Sequence, residues 1–130
     1  MPKSKAPKPS AGELEILRAL WQSGPSTVRQ VQDVLCRTRK MGYTTILKLL
    51  QIMTGKGLVV RDESQRSHVY RPRLSEEQTQ RQLVSDLMSK AFGGSAEKLV
   101  MQALSAKKVS ADELAEIRKL LDELSSNLPD

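Results

Sequence analysis

Tyr43-Thr44-Thr45-Ile46-Leu47-Lys48-Leu49-Leu50-Gln51-Ile52-Met53 is the stretch on which the fold turns. Ile46, Leu49, Leu50 and Met53 stand at i, i+3, i+4 and i+7, so one face of a helix is apolar. Thr44, Thr45, Lys48 and Gln51 fall on the other face, where side chains that hydrogen-bond well gather without a negative charge. Gly55 and Gly57 are expected to end the helix, because glycine takes the left-handed cap without strain. A narrow polar helix face of this kind fits a DNA major groove.

The residues that follow sharpen the expectation. Leu58-Val59-Val60-Arg61 predicts a short strand and Asp62-Glu63-Ser64-Gln65-Arg66-Ser67 a polar turn. His68-Val69-Tyr70-Arg71 alternates polar and apolar and predicts the returning strand, closed by Pro72. A hairpin hung on the end of a recognition helix is a wing. Arg61, Arg66, Arg71 and Arg73 would then reach phosphates beside the groove.

Upstream, Ser10 and Glu13 form a capping-box pair that starts a first helix with an apolar stripe of Leu14, Leu17, Leu20 and Trp21. Ser23-Gly24-Pro25 ends it. Thr27 and Gln30 make a second capping box, and Val28, Val31, Val34 and Leu35 form the buried side of helix two. Cys36 at its end is expected to be a small buried hydrophobe rather than a redox sensor. The basic turn Arg37–Gly42 leads into helix three. Helix, short helix, turn, recognition helix and hairpin define a winged helix-turn-helix.

Downstream, Ser75 and Gln78 cap a fourth helix carrying Leu83, Val84, Leu87, Met88 and Ala91, which stops at Gly93-Gly94. A fifth carries Leu99, Val100, Ala103 and Leu104. Ser110 and Glu113 cap a sixth, in which Leu114, Ile117, Leu121, Leu124 and Leu128 recur at alternating spacings of 3 and 4. That is a heptad seam. Three short helices lack the depth to hide so many leucines in a monomer, so these residues, with Leu83, Leu87 and Leu99, are expected to form a dimer interface. The competing reading is a helix packed on its own domain.

The fold class is therefore mainly α with a small β-hairpin: a basic tail expected to be disordered (1–9), a winged helix-turn-helix (10–74) and a C-terminal helical dimerisation region (75–130). Charge divides the same way. Residues 1–74 hold 14 Lys and Arg against 5 Asp and Glu, and residues 75–130 hold 7 against 10. A basic part joined to a mildly acidic one suggests a polyanion-binding half and a half that is not.

Composition narrows the function classes. Trp21, Tyr43, Tyr70 and Phe92 are the only aromatics, too few for a stacking platform on single-stranded nucleic acid. No apolar run approaches membrane-spanning length, which argues against membrane insertion, and the chain reads as cytoplasmic. Cys36 is the only cysteine and His68 the only histidine. An internal disulfide is thus impossible, a metal site improbable, and no cofactor is implied. An enzyme would have to assemble Cys36, His68 and a carboxylate from separate elements, so catalysis is not expected.

Three sets of residues are candidates for contact with double-stranded DNA. On helix three, Thr44 and Thr45 stand at the helix start, where outward N–H groups bind phosphate, and Lys48 is a turn further on, able to donate to guanine. Thr44 is equally well an N-cap. Tyr43 sets its ring against the sugar-phosphate backbone or packs partly into the core. Gln51 lies far along the helix, and Ile52 either meets a thymine methyl or packs beneath the wing. Before the helix, Arg39 and Lys40 would meet phosphate. On the hairpin, Arg66 is the leading contact, with Ser67 and His68 beside it; a plain surface histidine is the simpler reading of His68.

The chain resembles the penicillinase and methicillin-resistance repressor family, which includes copper-responsive relatives. The resemblance runs over about residues 10–125, most specifically in Gly42-Tyr43-Thr44-Thr45-Ile46-Leu47, Lys56-Gly57-Leu58-Val59 and Ser67-His68-Val69-Tyr70. Glu13, Leu14, Ile16, Leu17 and Leu20-Trp21 match the opening helix. The resemblance implies a homodimer that represses by binding an inverted-repeat operator over a promoter. It also implies a membrane metalloprotease signalling system, after whose signal the repressor is cut in its C-terminal region. The pair matching the family's Asn-Phe cleavage bond is Gln102-Ala103 here, and the C-terminal cysteines of copper-responsive members are lacking, which disfavours copper sensing. The alternative from a different class is a winged-helix protein-interaction adaptor without DNA binding.

Overall fold

The computed structural model describes residues 8–36 and 41–129. Six helices and one antiparallel two-stranded sheet follow in the order α1 (Ala11–Ser23), α2 (Val28–Leu35), α3 (Tyr43–Lys56), β1 (Val59–Asp62), β2 (Val69–Pro72), α4 (Glu76–Ala91), α5 (Ala96–Ala106) and α6 (Ala111–Ser126). The expected class, mainly helical with a hairpin wing, is the class found. The chain divides into two compact units, Met1–Val84 and Ser85–Asp130, so the division falls within α4, later than the charge shift after residue 74.

The helix starts are where the side chains place them. Ser10 and Glu13 form the full capping box of α1, with Glu13 N–H donating to Ser10 Oγ at 3.3 Å and Ser10 N–H to Glu13 Oε1 at 2.8 Å. Thr27 and Gln30 do the same for α2, and Ser75 and Gln78 for the start of α4. Each box satisfies two amides that a helix start leaves without partners. At the far end of α3, Gly57 takes φ +83°, while Gly57 N–H donates to Thr54 O and Leu58 N–H to Met53 O at 2.9 Å. This is a Schellman ending, with Leu58 and Met53 both buried beneath it. Gly55, expected to share in ending the helix, lies inside it instead. One left-handed residue suffices to stop a helix, and Gly57 supplies it.

In the first unit the core joins Ile16, Leu17, Ala19 and Leu20 of α1 to Val28, Val31 and Leu35 of α2. Ile46, Leu50 and Met53 of α3 fill its centre, each fully shielded, and Leu58, Val59 and Tyr70 close it from the wing side. Burying each such side chain contributes about 1.5–3 kcal/mol before the entropic cost of ordering is set against it. The buried stripe of α1 is rotated from the expected one: Ile16 and Ala19 are in, whereas Leu14 and Trp21 are only partly covered. Trp21 is turned by a polar need, its indole Nε1–H donating to Leu74 O at 3.0 Å.

The hairpin pairs Val59 with Pro72, Val60 with Arg71, Arg61 with Tyr70 and Asp62 with Val69, one residue later at each strand than the sequence pattern suggested. A third segment holds it down. Ser26 N–H donates to Tyr70 O at 2.9 Å and Tyr70 N–H to Ser26 O at 2.8 Å, which ties the wing to the α1–α2 connection. Cys36 corrects an expectation: it is exposed, not buried. It stands one residue past Leu35, the last buried position of α2, and so points away from the packed side.

In the second unit none of the described residues is buried. Gly93 and Gly94 turn the chain after α4 with φ +57° and +82°, Ser95 caps α5 and Ser110 caps α6. No helix among the described residues is long and apolar enough to cross a membrane.

Candidate nucleic-acid interface

The packing of α3 decides which of its side chains meet water. With Ile46, Leu50 and Met53 turned into the core, Thr44, Thr45, Lys48, Gln51 and Ile52 are left exposed. Leu49 and Leu47 are partly covered and flank the core. Ile52 is 42% exposed, so it does not pack beneath the wing. Thr44 is not an N-cap. Gly42 holds that position, and it has no side chain with which to cap. The cap residue itself therefore gives the first-turn amides of α3 no side-chain acceptor.

Tyr43 opens α3 and is 43% exposed, with the Arg29 guanidinium of α2 over its ring at 5.8 Å from the centroid. Arg29 is not among the contacts expected from the sequence. It stands second in a helix whose start is fixed by Thr27 and Gln30, and only the folded α2–α3 corner brings it to Tyr43.

The wing presents Ser64, Gln65, Arg66, Ser67 and His68 to solvent. Its turn is shaped by Asp62, which accepts from Ser64 N–H at 2.9 Å. That hydrogen bond, and then one from the Ser64 side chain, hold the Asp62 carboxyl below its ordinary value. Arg61 differs from its expected role. It is engaged within the hairpin, with Nη2 2.7 Å from Glu63 Oε2, and it is made more basic first by a hydrogen bond with Tyr70 and then by Glu63. It thus has a partner within the wing, whereas Lys48 and Arg66 make no ion pair among the described residues.

Behind α3, one buried acid fixes its far end. Glu13 is 3% exposed at its side chain and accepts from Lys56 Nζ at 2.8 and 3.1 Å. Burial alone would raise its carboxyl pKa, but the Lys56 hydrogen bond and charge and the Ser10 amide outweigh it and hold the pKa low. The start of α1 is thereby tied to the last turn of α3.

Arg39 and Lys40 lie outside the described residues, as do residues 1–7 of the expected tail. Of the eight positions expected at a dimer interface, Leu87, Leu114, Leu121, Leu124 and Leu128 are exposed and Leu83, Leu99 and Ile117 are partly covered. Leu120, which sequence reading left out, is 54% exposed beside them. Among the described residues no group of three or more His, Cys, Asp or Glu side chains could hold a metal ion.

Helix α3, the short α2 set before it, and a two-stranded wing following α3 define a winged helix-turn-helix protein. The chain belongs to the penicillinase repressor family, whose sequence profile, described as penicillinase repressor, matches residues 9–123. It is 30% identical over 118 residues to the transcriptional regulator BlaI of Mycobacterium tuberculosis, covering 88% of this chain and 85% of that one. It is 24% identical over 119 residues to the penicillinase repressor of Bacillus licheniformis, covering 92% and 93%. Its fold is similar to that of the DNA-binding domain of the repressor BlaI, with a TM-score of 0.50 and 27% identity over 57% of this chain and 90% of that domain. The family is one of transcriptional repressors, not of enzymes.

Proposed function

We propose that this chain is a dimeric repressor that binds an inverted-repeat operator in duplex DNA through α3 and the wing. One observation carries the reading: the solvent side of α3 presents Thr44, Thr45, Lys48 and Gln51 with no acid among them, on a fold similar to a repressor's DNA-binding domain. Thr44 and Thr45 stand at the start of the helix, whose glycine cap offers no side-chain acceptor and where hydroxyls and amides take phosphate or base edges. Lys48, one turn on, is the donor suited to guanine O6 and N7. Gln51 stands further along the same face. Arg66, Ser67 and His68 at the wing tip, with Arg39 and Lys40 before α3, supply phosphate contacts that add affinity without reading sequence.

Two copies presenting α3 about 34 Å apart would occupy successive major-groove faces, which is why the operator is palindromic in this reading. The exposed leucines of α6 supply the seam between copies. Release on a signal is taken from the family resemblance, with a membrane metalloprotease as the relay; Gln102 and Ala103 are exposed on α5. The repressor acts in the cytoplasm.

Titration of the full chain against a duplex bearing the promoter's palindrome tests the DNA reading. Wild type should bind with log K falling steeply as log salt rises, since on the order of six to ten phosphates per dimer are neutralised. Lys48→Glu combined with Arg66→Glu should abolish binding while leaving the thermal melt in place, because both side chains are exposed. Binding unaltered by both changes, or insensitive to salt, would sink the proposal.

A further inference from the structure

We infer that Arg29 is a DNA backbone contact at the α2–α3 corner, its guanidinium held for a phosphate by the ring of Tyr43. The inference rests on the DNA-binding reading above and adds to it a residue that lies outside α3 and the wing.

The orientation of Arg29 follows from its neighbours. Val28 and Val31 enter the core, and Thr27 and Gln30 are occupied with the capping box. That turns Arg29 outward, and it is exposed. Asp33 stands one turn further along α2, at the i+4 spacing where an Arg–Asp pair commonly forms. No ion pair forms there; the guanidinium lies over the Tyr43 ring instead. A guanidinium stacked on an aromatic face keeps its charge and leaves N–H donors at its edge unengaged. Those donors match two oxygens of one phosphate. The contact also favours rotamers that hold the guanidinium at this corner, lowering part of the cost of ordering it on binding.

Place matters as much as chemistry. Tyr43 is the first residue of α3, so the contact sets a positive charge beside the start of the helix proposed to enter the groove. A phosphate contact there would set where along the strand α3 descends, and it would serve any sequence. Tyr43 then acts as the positioning residue and Arg29 as the contact.

Fluorescence anisotropy with the full chain, on the palindromic duplex and on an unrelated duplex of equal length, tests this between about 50 and 200 mM salt. Arg29→Ala should weaken binding to both duplexes by a similar factor, roughly five-fold, and should make the salt slope shallower by about one per protomer. Arg29→Lys should restore the slope but only part of the affinity. Tyr43→Leu should cost more in the wild-type background than in the Arg29→Ala background. Arg18→Ala, on α1, is the charge-matched control and should change neither affinity nor slope. Should Arg29→Ala lower the melting temperature, Arg29→Gln repeats the measurement with the stem of the side chain kept.

Unchanged affinity and slope in Arg29→Ala, with Lys48→Glu abolishing palindrome binding, overturns this inference and leaves the DNA reading standing. Loss confined to the palindromic duplex also overturns it, since the residue would then be reading bases. A wild-type chain that binds neither duplex brings down the DNA reading itself.

Discussion

Glu13 is a buried carboxylate, and what it does follows from its partners. It caps α1 through Ser10 and holds Lys56 at the end of α3. Glu13→Gln keeps the shape and loses the charge. The expected cost is about 1 kcal/mol at neutral pH, moderated because Lys56 is 38% exposed and screened. Because folding lowers the Glu13 pKa from its ordinary 4.5, the stabilisation is present above that value and fades as pH falls through the lower, folded one. Urea denaturation of both proteins from pH 7 down to pH 3 should show the gap closing only on the acid side. A gap that is constant with pH would mean the ion pair contributes nothing. The capping role of Glu13 was legible from the Ser-x-x-Glu spacing. Its bond to Lys56 was not, because it spans 43 residues and only the packing of α1 on α3 creates it. The contact between Arg29 and Tyr43 was hidden for the same reason, since it joins two helices. Cys36 was misjudged because residue type speaks to average burial, whereas helix phase decides the individual case.

At the level of elements, local chemistry was the reliable guide. Capping boxes, the apolar face of α3 and the glycine at its end all act within a few residues, so they can be read along the chain. Strand bounds and the phase of the α1 stripe depend on partners, and there the reading slipped: by one residue in the hairpin, and by Ile16 and Ala19 in α1. The two glycines near the end of α3 separate the local rule from its context. Gly57 sits at φ +83°, where a side chain is strained, and a Cβ there would come 3.3 Å from the flexible end of Arg73. Gly57→Ala should therefore destabilise by about 1–2 kcal/mol. Gly55 is helical and a Cβ there meets nothing within 4 Å. Gly55→Ala should stabilise by about 0.5–1 kcal/mol through the unfolded chain's lost freedom. Thermal melts of the two variants should move in opposite directions. A shift of the same sign in both would show that the helix ends elsewhere. Gly57 also sets the exit angle into β1, so its variant should lose wing-dependent DNA affinity beyond the loss of stability.

For the molecule as a whole, the two units pose opposite problems. The first has a closed core with Ile46, Leu50 and Met53 at its centre. The second buries none of its described residues: Leu114, Leu120, Leu121 and Leu124 of α6 are between 40% and 54% exposed, and Leu128, expected on that helix, lies past its end at Ser126 and is 69% exposed. So much apolar surface along one helix is costly in water, and a second copy with the same seam would cover it. The operator reading needs that pairing. Once one α3 is seated, a linked second copy meets its half-site at high effective concentration, which raises overall affinity without new contacts. Leu121→Lys with Leu124→Lys should therefore give a monomer by sedimentation equilibrium at concentrations where wild type is a dimer. The doubly substituted chain should bind a single half-site as wild-type protomers do, yet lose on the order of 100-fold on the full palindrome. Both positions are solvent-facing in the single chain and the helix start is held by Ser110, so the helix itself should survive in circular dichroism. If the altered chain still sediments as a dimer, the seam lies elsewhere. If it is monomeric but binds the palindrome undiminished, pairing is irrelevant to recognition and the spacing of half-sites has no geometric cause in this fold.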